Sequence, residues 1–362
     1  MKKTLLCLAI AISAGFATAA NAAADLFNFV PEKANAIIYL KFNEIINHPA
    51  LKEARSKNME FSKKYDEIEA KFGKFNIKIE DLASDMLVFR EGEDDAGVVL
   101  KTGITEAKLK EIIASDIFVQ KNGGKIQESK MAGRKVFVIS SPIKGNDIPN
   151  NSIDIDNESV LTYLDKNTVL VTEKNCFEKI VKEISKSNVL ANKEMMSLKK
   201  DVNTSSATAW AVFVMPPKEK AAPAQPAGAQ QPPAFMNDPA DSVKGGCFAV
   251  ELAGKEKNDI IVDVLLECDT EQSASMMAMQ AQGLIMLGSG TMFQKNPQLG
   301  MKVGSAIKIN SSGKNLSAKL NFPKTLMDEI KKHAEDMKKQ PPLQMGPQVD
   351  IAPAPAGTGA SK

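Results

Sequence analysis

Cys247-Phe248-Ala249-Val250-Glu251-Leu252-Ala253, then Asp259-Ile260-Ile261-Val262-Asp263-Val264-Leu265-Leu266-Glu267 after a polar, glycine-containing turn, is the stretch that decides the fold class. Two runs rich in β-branched and apolar residues on either side of such a turn predict a β-hairpin. The residues that follow, Glu271–Leu287, change to an uninterrupted helical composition, with Asp269-x-x-Gln272 resembling a capping box at its start and Gly288-Ser289-Gly290 as its stop signal. A hairpin feeding a helix calls for an antiparallel sheet covered by helices. Taking Phe248, Val250 and Leu252 with Val262, Val264 and Leu266 as the core-facing set puts Cys268 on the core face and Cys247 on the other. Cysteines on opposite faces of a sheet cannot bridge. With no CxxC pattern, Cys176, Cys247 and Cys268 are expected as three free thiols.

The same alternation extends in both directions. Downstream, Val303–Asn310 and Asn315–Asn321 alternate as a hairpin, with Val303, Ser305, Ile307 and Ile309 on the same side as Leu316, Ala318, Leu320 and Phe322. Pro323 then opens a helix whose stripe is Leu326, Met327, Ile330, Ala334 and Met337. Upstream, Ala207–Met215 is a strand holding the only tryptophan, Trp210. Earlier still, Ala36–Phe42 is a strand, and one long helix runs from about Pro49 to Gly73. Met86–Phe89 and Gly97–Lys101 form a hairpin, and Thr105 caps a helix carrying Leu109, Ile112 and Ile113. A turn at Ala132-Gly133 leads into Lys135–Ile139, Val160–Leu164 pairs with Thr168–Val171, and a helix bearing Phe177, Ile180, Val181 and Ile184 follows.

The expected fold is α+β, in two repeated units, each an antiparallel sheet of hairpins with helices packed on one face. The units span 25–195 and 196–339. Within the second, 216–242 is a Pro/Ala/Gln-rich insertion expected to be disordered, as is the tail 340–362.

The phrase Val30-Pro31-Glu32-Lys33-Ala34 before the first strand, then Asn47-His48-Pro49, then Ile77-Lys78-Ile79-Glu80-Asp81-Leu82 before a strand, resembles a group of uncharacterised exported bacterial proteins, a duplicated domain of unknown function. The resemblance covers most of 30–338. It implies a duplicated α+β body and transfers no site residues.

Residues 1–24 read as a secretory signal peptide. Lys2-Lys3 form a basic start, Leu5–Phe16 an apolar run, and Ala20-Asn21-Ala22 a small-residue cleavage site, with cleavage expected near Ala22–Ala24. Cys7 follows Leu6 where a lipoprotein needs a small residue, so no lipid anchor is expected. No later run reaches the roughly 20 apolar residues of a membrane span. The protein is expected to be exported and soluble, in the periplasm or outside the cell.

Charge excludes some partners. Lys and Arg number 46 against 44 Asp and Glu, and without Lys2 and Lys3 the two balance. Nucleic acid is therefore not an expected partner. With His48 and His333 as the only histidines, a three-histidine zinc site is excluded within one chain. No G-x-S-x-G, no P-loop and no complete calcium loop is present; Asp154, Asp156 and Glu158 resemble only its start. No cofactor is expected. One Trp and three Tyr are few for a glycoside-hydrolase cleft.

Methionine is the unusual constellation, with Met276, Met277, Met279 and Met286 on one helix. The plain reading is a central buried helix using methionine as gap-filler. Alternatives are an adaptable apolar-ligand site built on Met276, Met279 and Met286, and copper(I) binding through thioethers. The leading expectation is a non-enzymatic exported protein that binds an unknown envelope protein or ligand. The rivals are a periplasmic hydrolase whose carboxylates converge only in the fold, and an apolar-ligand carrier using the methionine-rich helix.

Overall fold

A computed structural model describes residues 25–92, 95–114, 125–142, 156–216, 242–253 and 259–338. The signal-peptide, insertion and tail assignments lie outside the described residues, apart from the ends of the insertion.

The strands are β1 (Ala36–Leu40), β2 (Asp85–Glu91), β3 (Asp95–Lys101), β4 (Lys125–Met131), β5 (Arg134–Pro142), β6 (Asp156–Tyr163), β7 (Thr168–Glu173), β8 (Ala209–Val214), β9 (Val243–Ala253), β10 (Asp259–Cys268), β11 (Ile307–Ser312) and β12 (Asn315–Phe322). The helices are α1 (Phe42–Asn47), α2 (Pro49–Lys57), α3 (Met59–Gly73), α4 (Ile79–Leu82), α5 (Glu106–Ala114), α6 (Lys174–Ile184), α7 (Lys193–Lys200), α8 (Glu271–Met292), α9 (Pro297–Ser305) and α10 (Lys324–Lys338).

All the strands join one antiparallel sheet, in the order β11-β12-β10-β9-β8-β1-β2-β3-β7-β6-β5-β4. The expectation of a separate sheet in each half is thus corrected. β1 and β8 pair along their length, Ala36 with Phe213 through Leu40 with Ala209, and fuse the halves at the centre. Neither run carries the charges that keep an edge strand unpaired, so each serves as the other's neighbour.

Helices cover both faces, which corrects the one-face arrangement. On the first face Ile37, Tyr39, Leu87, Phe89, Val99 and Leu170 pack with Phe177 and Ile180 of α6 and Met195 and Leu198 of α7. The segment before β1 adds Leu26, Phe27 and Val30 to this core. Trp210 sits at its centre, stacked on Tyr39 with ring centroids 5.5 Å apart and tilted against Phe27 at 5.6 Å. Gly97 faces Phe89 across β2–β3, and a Cβ there would come 2.5 Å from the ring. On the second face Leu40 and Leu100 pack under Phe42, Ile45 and Ile46 of α1 and Ile79 of α4. There α8 lies over β10, β12 and β11.

The β9–β10 register pairs Phe248 with Val264 and Val250 with Val262, so these residues share one face as expected. The burial of the two faces differs from the expectation. Cys247 and Ala249 lie in the Trp210 core, while Phe248 on the other face is 42 % exposed. Small residues are needed beneath the indole, so the large apolar set was left for the other side. Cys247 and Cys268 lie on opposite faces, and Cys176, Cys247 and Cys268 are free and buried.

Other boundaries shift for local reasons. The long first helix is two, because Asn58 turns extended and its side chain accepts from Phe61 N, capping α3 afresh. Val303 and Ser305 belong to α9 rather than a strand, since Asn296 caps a helix with Pro297 in its first turn. Thr270, not Asp269, caps α8, accepting from Ser273 N at 3.1 Å. The glycines at 288 and 290 do not stop α8, which continues to Met292.

Candidate functional site

α8 is the element that sequence chemistry singles out, and its position differs from the buried helix expected. Its inner face is small: Ala274 and Ala278 are the buried residues, and Met277 Sδ meets Cys268 Sγ at 3.7 Å. Alanines let the helix approach the strands closely. The Gln282 side-chain amide donates to Ile309 O at 3.1 Å and ties the helix to the edge strand β11. α9 packs against the far end of α8 through Gly300, where a Cβ would come 2.9 Å from Ser289 O. Phe293, Leu299 and Leu326 form a small core there, with Ile330 of α10 against it.

The outer face carries the apolar bulk. Met279 is 62 % exposed, Leu284 70 %, Met286 76 % and Leu287 67 %. Exposed Met292 and, from α9, exposed Met301 stand near the same end. Of the three residues proposed for an apolar ligand, Met276 is half-buried, and Met279 and Met286 point outward with it on the face opposite Ala274 and Ala278. Helical geometry explains this: 276, 279, 283, 286 and 290 recur at three- and four-residue steps and share one stripe. Between Met279 and Met286 the stripe holds Gly283, and beyond it Gly290; a Cβ at either would meet nothing within 4 Å. No charged residue occurs between Glu271 and Lys295. Monomeric proteins rarely leave a large contiguous apolar surface to water, and such surfaces mark interaction sites. On the second face of the sheet, Ile38, Ala211, Phe248, Val264, Ala318 and Ile309 form one cross-strand row. Ile38 and Phe248 in that row are exposed.

Two hollows among the described residues lie elsewhere. One, of about 470 Å³, is bounded by Lys302, Lys308, Lys319, Asn321, Thr325 and Glu329. Its cations are largely spoken for: Lys302 pairs with Glu329 at 2.7 Å and Lys319 with Asp263 at 3.4 Å. The other is a shallow depression on the outer side of α3, between Met59 and Ala70. Met276, Met279 and Met286 line neither.

Buried acids are engaged in structure. Asp85 accepts from Tyr39 Oη at 2.6 Å and from Ser84 Oγ at 2.8 Å. Glu91 meets Lys179 Nζ at 3.0 Å, and the same lysine bridges to Asp95. Those bonds hold the Asp95 carboxyl below its ordinary range. His48 caps the end of α1, and His333 packs on the Phe293 ring at 5.4 Å. Asp154 lies outside the described residues, and Glu158 is bonded to Ser140 and Lys174. Among the described residues no group of histidines, cysteines and acids is arranged to hold a metal ion. None of their helices is long and apolar enough to cross a membrane.

No family model matches the chain, and neither a curated protein nor a solved structure is found similar to it.

Proposed function

We propose that this is an exported, non-catalytic protein of the bacterial envelope that binds a protein partner through the outward face of α8. The observation that carries the reading is a 22-residue helix, uncharged after its first residue, whose outer side presents Met279, Leu284, Met286 and Leu287 to solvent. Methionine suits such a role because its flexible thioether adapts to the surface it meets. A sheet clamped by helices on both faces supplies a rigid base.

Export rests on the Lys2-Lys3 start, the apolar run and the Ala20-Asn21-Ala22 site. We also read the two halves as a duplicated unit, in keeping with the resemblance to the exported α+β family. The strand orders β1-β2-β3-β7-β6 and β8-β9-β10-β12-β11 run outward from the centre in the same pattern and support this. The hairpin β4–β5 is then an addition to the first half.

The test is a photo-crosslinking amino acid placed at Met279 and, as a control, at Lys64 on the outer side of α3, in cells making the full chain. A protein adduct at 279 that is missing at 64 supports the reading. Absence of any protein adduct at 279 overturns it.

A further inference from the structure

We propose that the partner of α8 is α8 of a second copy of this chain, laid antiparallel across a two-fold axis at Gly283. This rests on the docking role proposed above and names its occupant. Within the outward stripe, Met276, Met279, Gly283, Leu287 and Gly290 are self-complementary when reversed about residue 283, and Met286 falls against the uncharged Gln280. Met276 then faces Gly290 of the other copy, Met279 faces Leu287, and Gly283 faces Gly283. Each bulky end meets a notch, and the centre, where no side chain intervenes, admits the closest approach. Open space around Gly283 and Gly290 leaves room for a partner's side chains. A C2 interface requires this property, since the same patch must serve both sides.

Charge favours the same arrangement. Reversal about 283 brings the acidic start of one helix, at Glu271, toward Lys295 just beyond the end of the other. Antiparallel helices also set the positive end of one macrodipole beside the negative end of its neighbour. Between those ends no charged residue has to be desolvated.

A helix of 22 residues is about 33 Å long, so this stripe contributes a few hundred Å² per copy. That is at the small end for a protein interface and implies a concentration-dependent dimer rather than an obligate one.

The experiment is sedimentation equilibrium on the chain purified as the cell processes it, with three variants. The expected result is a reversible monomer–dimer equilibrium. Gly283→Arg, at an exposed position with open space around it, should raise the dissociation constant at least ~10-fold, because two cations meet at the axis. At a concentration where both are monomeric, its circular dichroism should match the parent and its melting temperature should be no lower, since arginine suits a helix interior better than glycine. That separates lost pairing from misfolding. Gly283→Cys should form a disulfide-linked dimer under mild oxidation, whereas Ser275→Cys, which would face Thr291 of the other copy, should not. A chain that stays monomeric up to on the order of 100 μM overturns the proposal, as does a Gly283→Arg variant that still dimerises. A monomer that crosslinks at Met279 to a different protein overturns self-pairing and leaves the docking role standing. A monomer that floats with phosphatidylcholine vesicles overturns it in favour of a lipid surface.

Discussion

The Tyr39 hydroxyl donates to Asp85 Oδ1 at 2.6 Å, joining β1 to the start of β2 inside the sheet. Tyr39 is wholly buried and Asp85 nearly so. Burial first, and the neighbouring Asp85 carboxylate second, push the phenol pKa far above its ordinary value, so Tyr39 is a permanent donor. Tyr39→Phe keeps the ring against Trp210 and removes only that donor. A hydrogen bond to a charged group is worth about 1.5–3 kcal/mol, and a loss of that size is expected in the urea midpoint followed by Trp210 fluorescence. Ser84→Ala, at the half-buried second donor to Asp85, should cost less.

Gly97→Ala tests the packing of the first face. The added methyl would meet Phe89 ring atoms at 2.5 and 2.8 Å, and Phe89 is buried in the same core as Leu170 and Val99. Overpacking of this kind costs about 1–3 kcal/mol. A melting temperature unchanged from the parent would contradict the described β2–β3 register.

Gly288→Ala should act the other way. Gly288 lies inside α8, off the outward stripe, and a Cβ there meets nothing within 4 Å. Glycine in a helix interior costs about 1 kcal/mol relative to alanine, so the substitution should raise stability by up to that amount in a denaturant titration.

The thiols set an alkaline limit. Burial pushes Cys176 and Cys247 up to about 12, with Asp95 adding to the effect at Cys176. Below about pH 7.5 these groups are protonated in folded and unfolded chains alike, and their contribution is fully present. As pH rises from there toward 12, the unfolded chain ionises first and stability falls. The urea midpoint should drop more between pH 8 and 9.5 for the parent than for Cys176→Ala/Cys247→Ala. In the native state at pH 8, iodoacetamide should leave Cys176, Cys247 and Cys268 unmodified, and in denaturant it should label all three.

Hairpins were the legible part of this fold. β2–β3, β9–β10 and β11–β12 announce themselves by alternation and turn residues, and Gly133 adopts the positive φ that a glycine invites, with Ala132 drawn into the same region beside it. The fusion of the halves was not legible, because Ala36–Leu40 and Ala209–Val214 are apolar on both sides and carry no local sign of which strand they join. α8 misled for a related reason. An all-round apolar composition normally means burial, yet the face toward the sheet is built from Ala274 and Ala278, and the bulky residues were placed outward. Composition identified the helix; only its rotation about its axis separates a core element from a contact surface. The spacing of Met276, Met279 and Met286 puts them on one stripe, but nothing in the sequence says that this stripe faces outward.

The β1–β8 seam also has a consequence for biogenesis. A chain made from its N-terminus completes β1 long before Ala209–Val214 exists to pair with it. During that interval the central strand of the finished sheet is an open edge, apolar on both sides and able to template pairing with another chain. Formation of so distant a contact is slow. If the chain is exported as proposed, translocation across a membrane would prolong the delay, and the first half would then need a holding factor or prompt completion of the second. A chain truncated after Lys200 should aggregate through β1, although it keeps every strand from β1 to β7.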